Sequence, residues 1–272
     1  MATTLERLIA RHPVAAYFAL TFGISWAGAL AIAAPHLIRH EPLPLMTGIL
    51  MFPLMLLGPP AAGVTLTRFL GGKDGLQDLL SRQLSLRFEI HWYTALLIPP
   101  ILVLAVLVSM ERFVSAIYAP NKFFIGILFA VPAGLLEEIG WMGYVFPKMR
   151  SRSNALAASV VLGLLWACWH LPVINYLGTA TLHRAYWLRF FLAFAWVLVP
   201  MRTLIAWLYT NTKSVLLSQL MHISSTGSLI VFGPPRVSAA QEASWYAIYG
   251  SVLWLVVAII AKRLRQKAPS CF

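Results

Sequence analysis

The stretch VPAGLLEEIGWMGYVFP, residues 131–147, decides how this chain is read. It belongs to an apolar run, 123–147, with no Lys or Arg between Lys122 and Lys148. Wound as a helix at about 1.5 Å per residue, that run is long enough to cross the ~30 Å hydrocarbon core of a bilayer. An acidic side chain at that depth costs roughly 3 kcal/mol on insertion scales, and here two are adjacent, Glu137 and Glu138. Ionisable residues inside a membrane span face the bundle interior and mark functional sites by default. The pair therefore reads as a site, with a buried structural pair as the plainer alternative.

The rest of the chain fits a membrane setting. Of its 272 residues 60% are hydrophobic and 11% charged, and the mean hydropathy is +0.76. A soluble domain carries about 25% charged residues, so soluble and disordered classes are excluded. Eight apolar runs stand out, at roughly 13–34, 46–70, 92–110, 122–147, 154–175, 187–209, 214–232 and 244–261. They are longer than barrel strands and do not alternate strictly, which leaves helices as the spanning element. The expected fold is all-α, a single transmembrane domain over 1–272. The net charge of +12 lies mostly between the runs, so it points to topology and the lipid bilayer and not to nucleic acid.

Counted loop by loop, 14 basic residues fall on one face and 6 on the other, with Arg202 inside the sixth run and unassigned. The positive-inside rule then puts both termini in the cytoplasm of a bacterial-type membrane, as a multi-pass protein. Arg7 and Arg11 precede a first run too long for a signal core, so it is expected to remain as a helix. Between the second and third runs, Leu76, Leu79, Leu80 and Leu84 recur at helical spacing and suggest an amphipathic helix on the inner surface. Cys168 and Cys271 are expected at different depths, so no disulfide is anticipated, and Cys271 is not placed as a prenylation box.

Seven of the nine acidic residues, Glu242 among them, read as tail, loop or surface groups. So do His12, His36, His40, His91 and His183. His170, in LLWACWHLP, and His222, in LLSQLMHISSTG, lie inside apolar runs and read as partners of the glutamates. There is no intramembrane Asp, no HExxH and no GxSxG, so aspartyl, zincin and serine-elbow chemistry lack their signatures. A carboxylate that takes a proton from water remains, with one imidazole to orient the water and another to stabilise an oxyanion. Two Glu and two His could also hold zinc, with Glu137, His170 and His222 as candidate ligands.

EEIGWMGYVFP, WACWHLP and IAWLYTNTKSVLLSQLMH together resemble the CPBP family, the CAAX protease and bacteriocin-processing membrane proteins. Its pattern is EExxxR, then an aromatic-xxx-His, then His-xxx-Asn or Asp, and the match covers about 120–230. The resemblance implies an intramembrane endopeptidase that cuts a membrane-anchored or prenylated peptide. It implies Glu137 as the water-activating base with Glu138 beside it, His170 as water-positioning, and His222 in the oxyanion pair. Trp166 takes the first aromatic position, Met142 stands at the family's Arg, and Thr226 at its Asn or Asp. These last two departures suggest an alternative, a non-catalytic immunity or scaffold protein of the same fold. A proton-coupled transporter would call for inverted repeats, and the sequence carries none.

Overall fold

The computed structural model describes residues 4–86 and 88–266; Arg87, Lys267 and Cys271 lie outside them. A short helix α1 (Thr4–Arg11) leads into α2 (Pro13–Ile38), α3 (Leu45–Met55) and α4 (Gly58–Gln83). Then come α5 (Ile98–Phe113), α6 (Ile127–Gly140), α7 (Phe146–Arg150) and α8 (Ala155–Trp169). The last three are α9 (Trp187–Thr212), α10 (Val215–Phe232) and α11 (Ala239–Gln266). No strand occurs among the described residues. Seven segments are long and apolar enough to cross a membrane, and α8 is a shorter apolar helix of 15 residues. The chain is an all-α, multi-pass membrane protein.

The second and fifth runs differ most from their expected extents. The second run does not stop at 70: α4 continues to Gln83 through a kink at Gly72, whose φ of 63° a glycine adopts without Cβ strain. The surface segment is therefore the lower half of the same element. Its Leu79 is buried, while Leu80 and Leu84 stay exposed. The fifth run was expected to reach 175, but α8 ends at Trp169 and a 3-10 stretch, Leu171–Tyr176, follows. Pro172 disfavours helical backbone at the residue before it, which places the break beside His170.

The fourth run carries the feature that shapes the centre of the bundle. Directly after the glutamates, Trp141–Val145 form a π turn, closed by the Phe146 N–H on the Trp141 carbonyl. Pro147 has no N–H for the Gly143 carbonyl four residues earlier. The Arg82 side chain, from the end of α4, supplies that donor at 2.9 Å and also donates to the Tyr209 hydroxyl at 2.9 Å. At Gly140 a Cβ would collide with the Pro59 carbonyl and the Tyr17 hydroxyl, so only glycine lets α2, α4 and α6 meet there. Asn154 and Ser214 cap the starts of α8 and α10, accepting from Ala157 N at 2.8 Å and Leu217 N at 3.1 Å.

Glu242 and His183 are not surface groups. Both are buried, and the Glu242 carboxylate accepts from Thr179 N (2.6 Å), Thr179 Oγ1 (3.0 Å) and Ala180 N (2.9 Å). His183 Nε2 lies 3.0 Å from the same carboxylate. The half-buried N–H groups of the loop before α9 find their acceptor in the first turn of α11. Residues 176–186 show no helical period, so sequence spacing alone gave no sign of this.

Candidate active site

Glu137 and Glu138 sit near the end of α6, His170 at the end of α8, and His222 on the third turn of α10; all four are buried. Counted only to the end of the fourth run at 147, Glu137 would lie about 15 Å deep against about 24 Å for His170, a mismatch in depth. It disappears because the helical path runs through the π turn to Arg150. Glu137 is then about 20 Å from that end and His170 about 24 Å from Asn154, at 1.5 Å per residue.

Trp166 is the hub. Its Nε1–H donates to Glu137 Oε2 at 2.7 Å, and its ring meets those of His222 and His170, with centroids 5.1 and 5.6 Å away. Glu137 Oε2 also accepts from Trp141 Nε1 at 3.0 Å. Glu137 Oε1 is buried and has no partner among the described residues. One oxygen is thus pinned by two indoles, and the other is free. His170 Nδ1 lies 2.8 Å from the Trp166 carbonyl. A carbonyl only accepts, so Nδ1 carries the hydrogen and Nε2 keeps its lone pair.

Glu138 faces other partners. Arg202 Nη1 donates to both of its oxygens, at 2.7 and 2.8 Å, and His222 Nδ1 lies 2.7 Å from Oε1. A cation from another helix therefore neutralises the pair. The run around the glutamates carries no Lys or Arg; Arg202 arrives from α9, 64 residues away, and is fully buried. It was legible only as a lone arginine inside an apolar run. Met142, at the motif's arginine position, is buried in the core. Thr226 lies one turn beyond His222, half-buried and without a side-chain hydrogen bond.

The donor set does not suit zinc. Among the described residues no three His, Cys, Asp or Glu side chains converge as a metal site requires. Both Glu138 oxygens are taken, by Arg202 and His222. A divalent ion here would also lie close to the Arg202 charge.

Residues 119–227 match the family described as type II CAAX prenyl endopeptidase Rce1-like. That segment holds both glutamates, both histidines, Trp166 and Arg202. Over 179 residues the chain is 30% identical to CAAX prenyl protease 2 of Methanococcus maripaludis, covering 61% of this chain and 62% of that relative. Over the segment that holds the site, the chain is similar to this CAAX protease family. Within that family's aromatic-xxx-His motif, the tryptophan at 166 adds an indole N–H that a phenylalanine would lack. Hydrogen bonds to a charged group contribute about 1.5–3 kcal/mol. Trp166→Phe should therefore leave the fold intact and lower any turnover about tenfold. Equal rates for the variant and the wild type would show that the indole bond is idle.

Proposed function

We propose that this protein is an intramembrane endopeptidase acting on a membrane-anchored peptide, with prenylated C-terminal segments as the first class to test. The relative's name, CAAX prenyl protease 2, supports that substrate class. The observation that carries the reading is the free Oε1 of Glu137, with Oε2 held by two indoles, one of which, Trp166, packs against both imidazoles.

In the step we envisage, Glu137 Oε1 takes a proton from a water molecule while its oxygen bonds to the scissile carbonyl carbon. His170 orients that water by accepting its other hydrogen at Nε2. The carbonyl π electrons move onto oxygen, and His222 stabilises the resulting oxyanion. As an imidazolium, His222 donates from Nδ1 to Glu138 and from Nε2 to the oxyanion. With Arg202 and the two carboxylates, that state sums to zero charge, which suits a low-dielectric site. Glu137 then passes its proton to the leaving nitrogen as the C–N bond breaks.

The test is cleavage by the purified full chain in nanodiscs, using prenylated and unprenylated membrane-anchored peptides read by mass spectrometry. Cleavage of at least one anchored peptide is expected. If the wild type binds such a peptide tightly and cuts none, it is a shielding protein and not a peptidase.

A further inference from the structure

Arg202 has no part in the proton transfers above, yet it is the most costly side chain to bury in the bundle. Its guanidinium is fully buried, bridges both Glu138 oxygens, and lies face-on over the Trp166 ring at 4.1 Å. Glu138 Oε1 receives His222, and Trp166 donates to Glu137. One planar cation therefore touches both halves of the site: the pair Glu138–His222 directly, and Glu137 through the indole. The planar guanidinium lies over the indole while Nη1 alone donates to both carboxylate oxygens, and Nε and Nη2 have no partner among the described residues.

The packing lets it arrive. A Cβ at Gly163 would stand 2.8 Å from Val199 Cα and 3.3 Å from Arg202 Cβ, so α8 and α9 meet backbone to backbone at this level. Trp166 is one turn along α8, which brings its ring against the guanidinium. Residue 142 lies four residues beyond Glu138, in the π turn that continues α6. There the chain has a buried, uncharged methionine, so the pair Met142 and Arg202 brings one cation, not two, to the carboxylates.

We infer that Arg202 is the positioning residue of this site, supplying from α9 the charge that the family motif places at 142. It sets Glu138 so that His222 presents Nε2 to the reaction, and it sets Trp166 so that Glu137 keeps Oε1 free. The kinetic consequences rest on the proposed peptidase function; the geometric ones do not.

Two readouts keep these apart: turnover of an anchored peptide, and the 15N signals of His222 in the histidine-labelled full chain. Arg202→Met should lower kcat about 100-fold or more with KM within about threefold, the pattern of a lost transition-state arrangement. It should also move the His222 signals. Adding Met142→Arg to that variant should return kcat to within about tenfold of wild type and restore the signals. Should Arg202→Met fail to fold, Arg202→Lys keeps the charge without the fork, and a kcat loss of about tenfold with intermediate His222 signals is expected. Wild-type kcat and unchanged His222 signals in whichever variant folds would overturn the inference. So would a folded double variant no better than Arg202→Met. If the wild type itself cuts nothing, the peptidase reading fails. His222 signals indifferent to Arg202 would then overturn the positioning role independently.

Discussion

Glu137→Gln is expected to lower turnover at least about 100-fold while peptide binding survives. The side-chain oxygen of glutamine can still accept the Trp141 and Trp166 indoles, so the local packing is kept. Its amide nitrogen then occupies the place of the free oxygen, and a donor cannot take a proton from water. The loss should fall on kcat, because the removed group acts on the reacting water and not on the peptide. The check is single-turnover cleavage at saturating peptide, with binding measured separately. A variant cutting within about threefold of wild type would remove Glu137 from the base role.

Glu242→Ala should produce the largest loss of stability, about 3–5 kcal/mol, with the active cluster left in place. The carboxylate is fully buried and serves two backbone N–H groups, one hydroxyl and the His183 ring. Alanine would strand all of them, and each unsatisfied buried donor costs about 1–3 kcal/mol. The turn at Gly178, with φ of 78° and no room for a Cβ beside Glu242, would lose its anchor. Reversible unfolding in mixed micelles is the measurement. A loss under about 1 kcal/mol would mean that the loop finds other acceptors and that Glu242 is not its anchor.

The contrast between the two glutamate sites shows what could be read from residues alone. Glu137 and Glu138 were visible because they interrupt a long apolar run, where the cost of burying charge makes a carboxylate conspicuous. Glu242 was not, because it stands at the edge of a run where a charge is cheap in sequence terms. Only the inward fold of residues 178–183 made it buried. His183 was misread for the same reason.

By itself the sequence determined the class of fold, the approximate positions of the helices, and the four side chains around which the function is proposed. Those follow from local physics: helix length against bilayer thickness, and the cost of polar groups in hydrocarbon. Tertiary structure alone decided how the two adjacent carboxylates differ. Neighbours on a helix point about 100° apart, so Glu137 met two indoles and Glu138 met a guanidinium and an imidazole. It also decided which cation answers the carboxylates, since residue 202 is brought beside 138 by the close contact at Gly163 and not by any spacing along the chain.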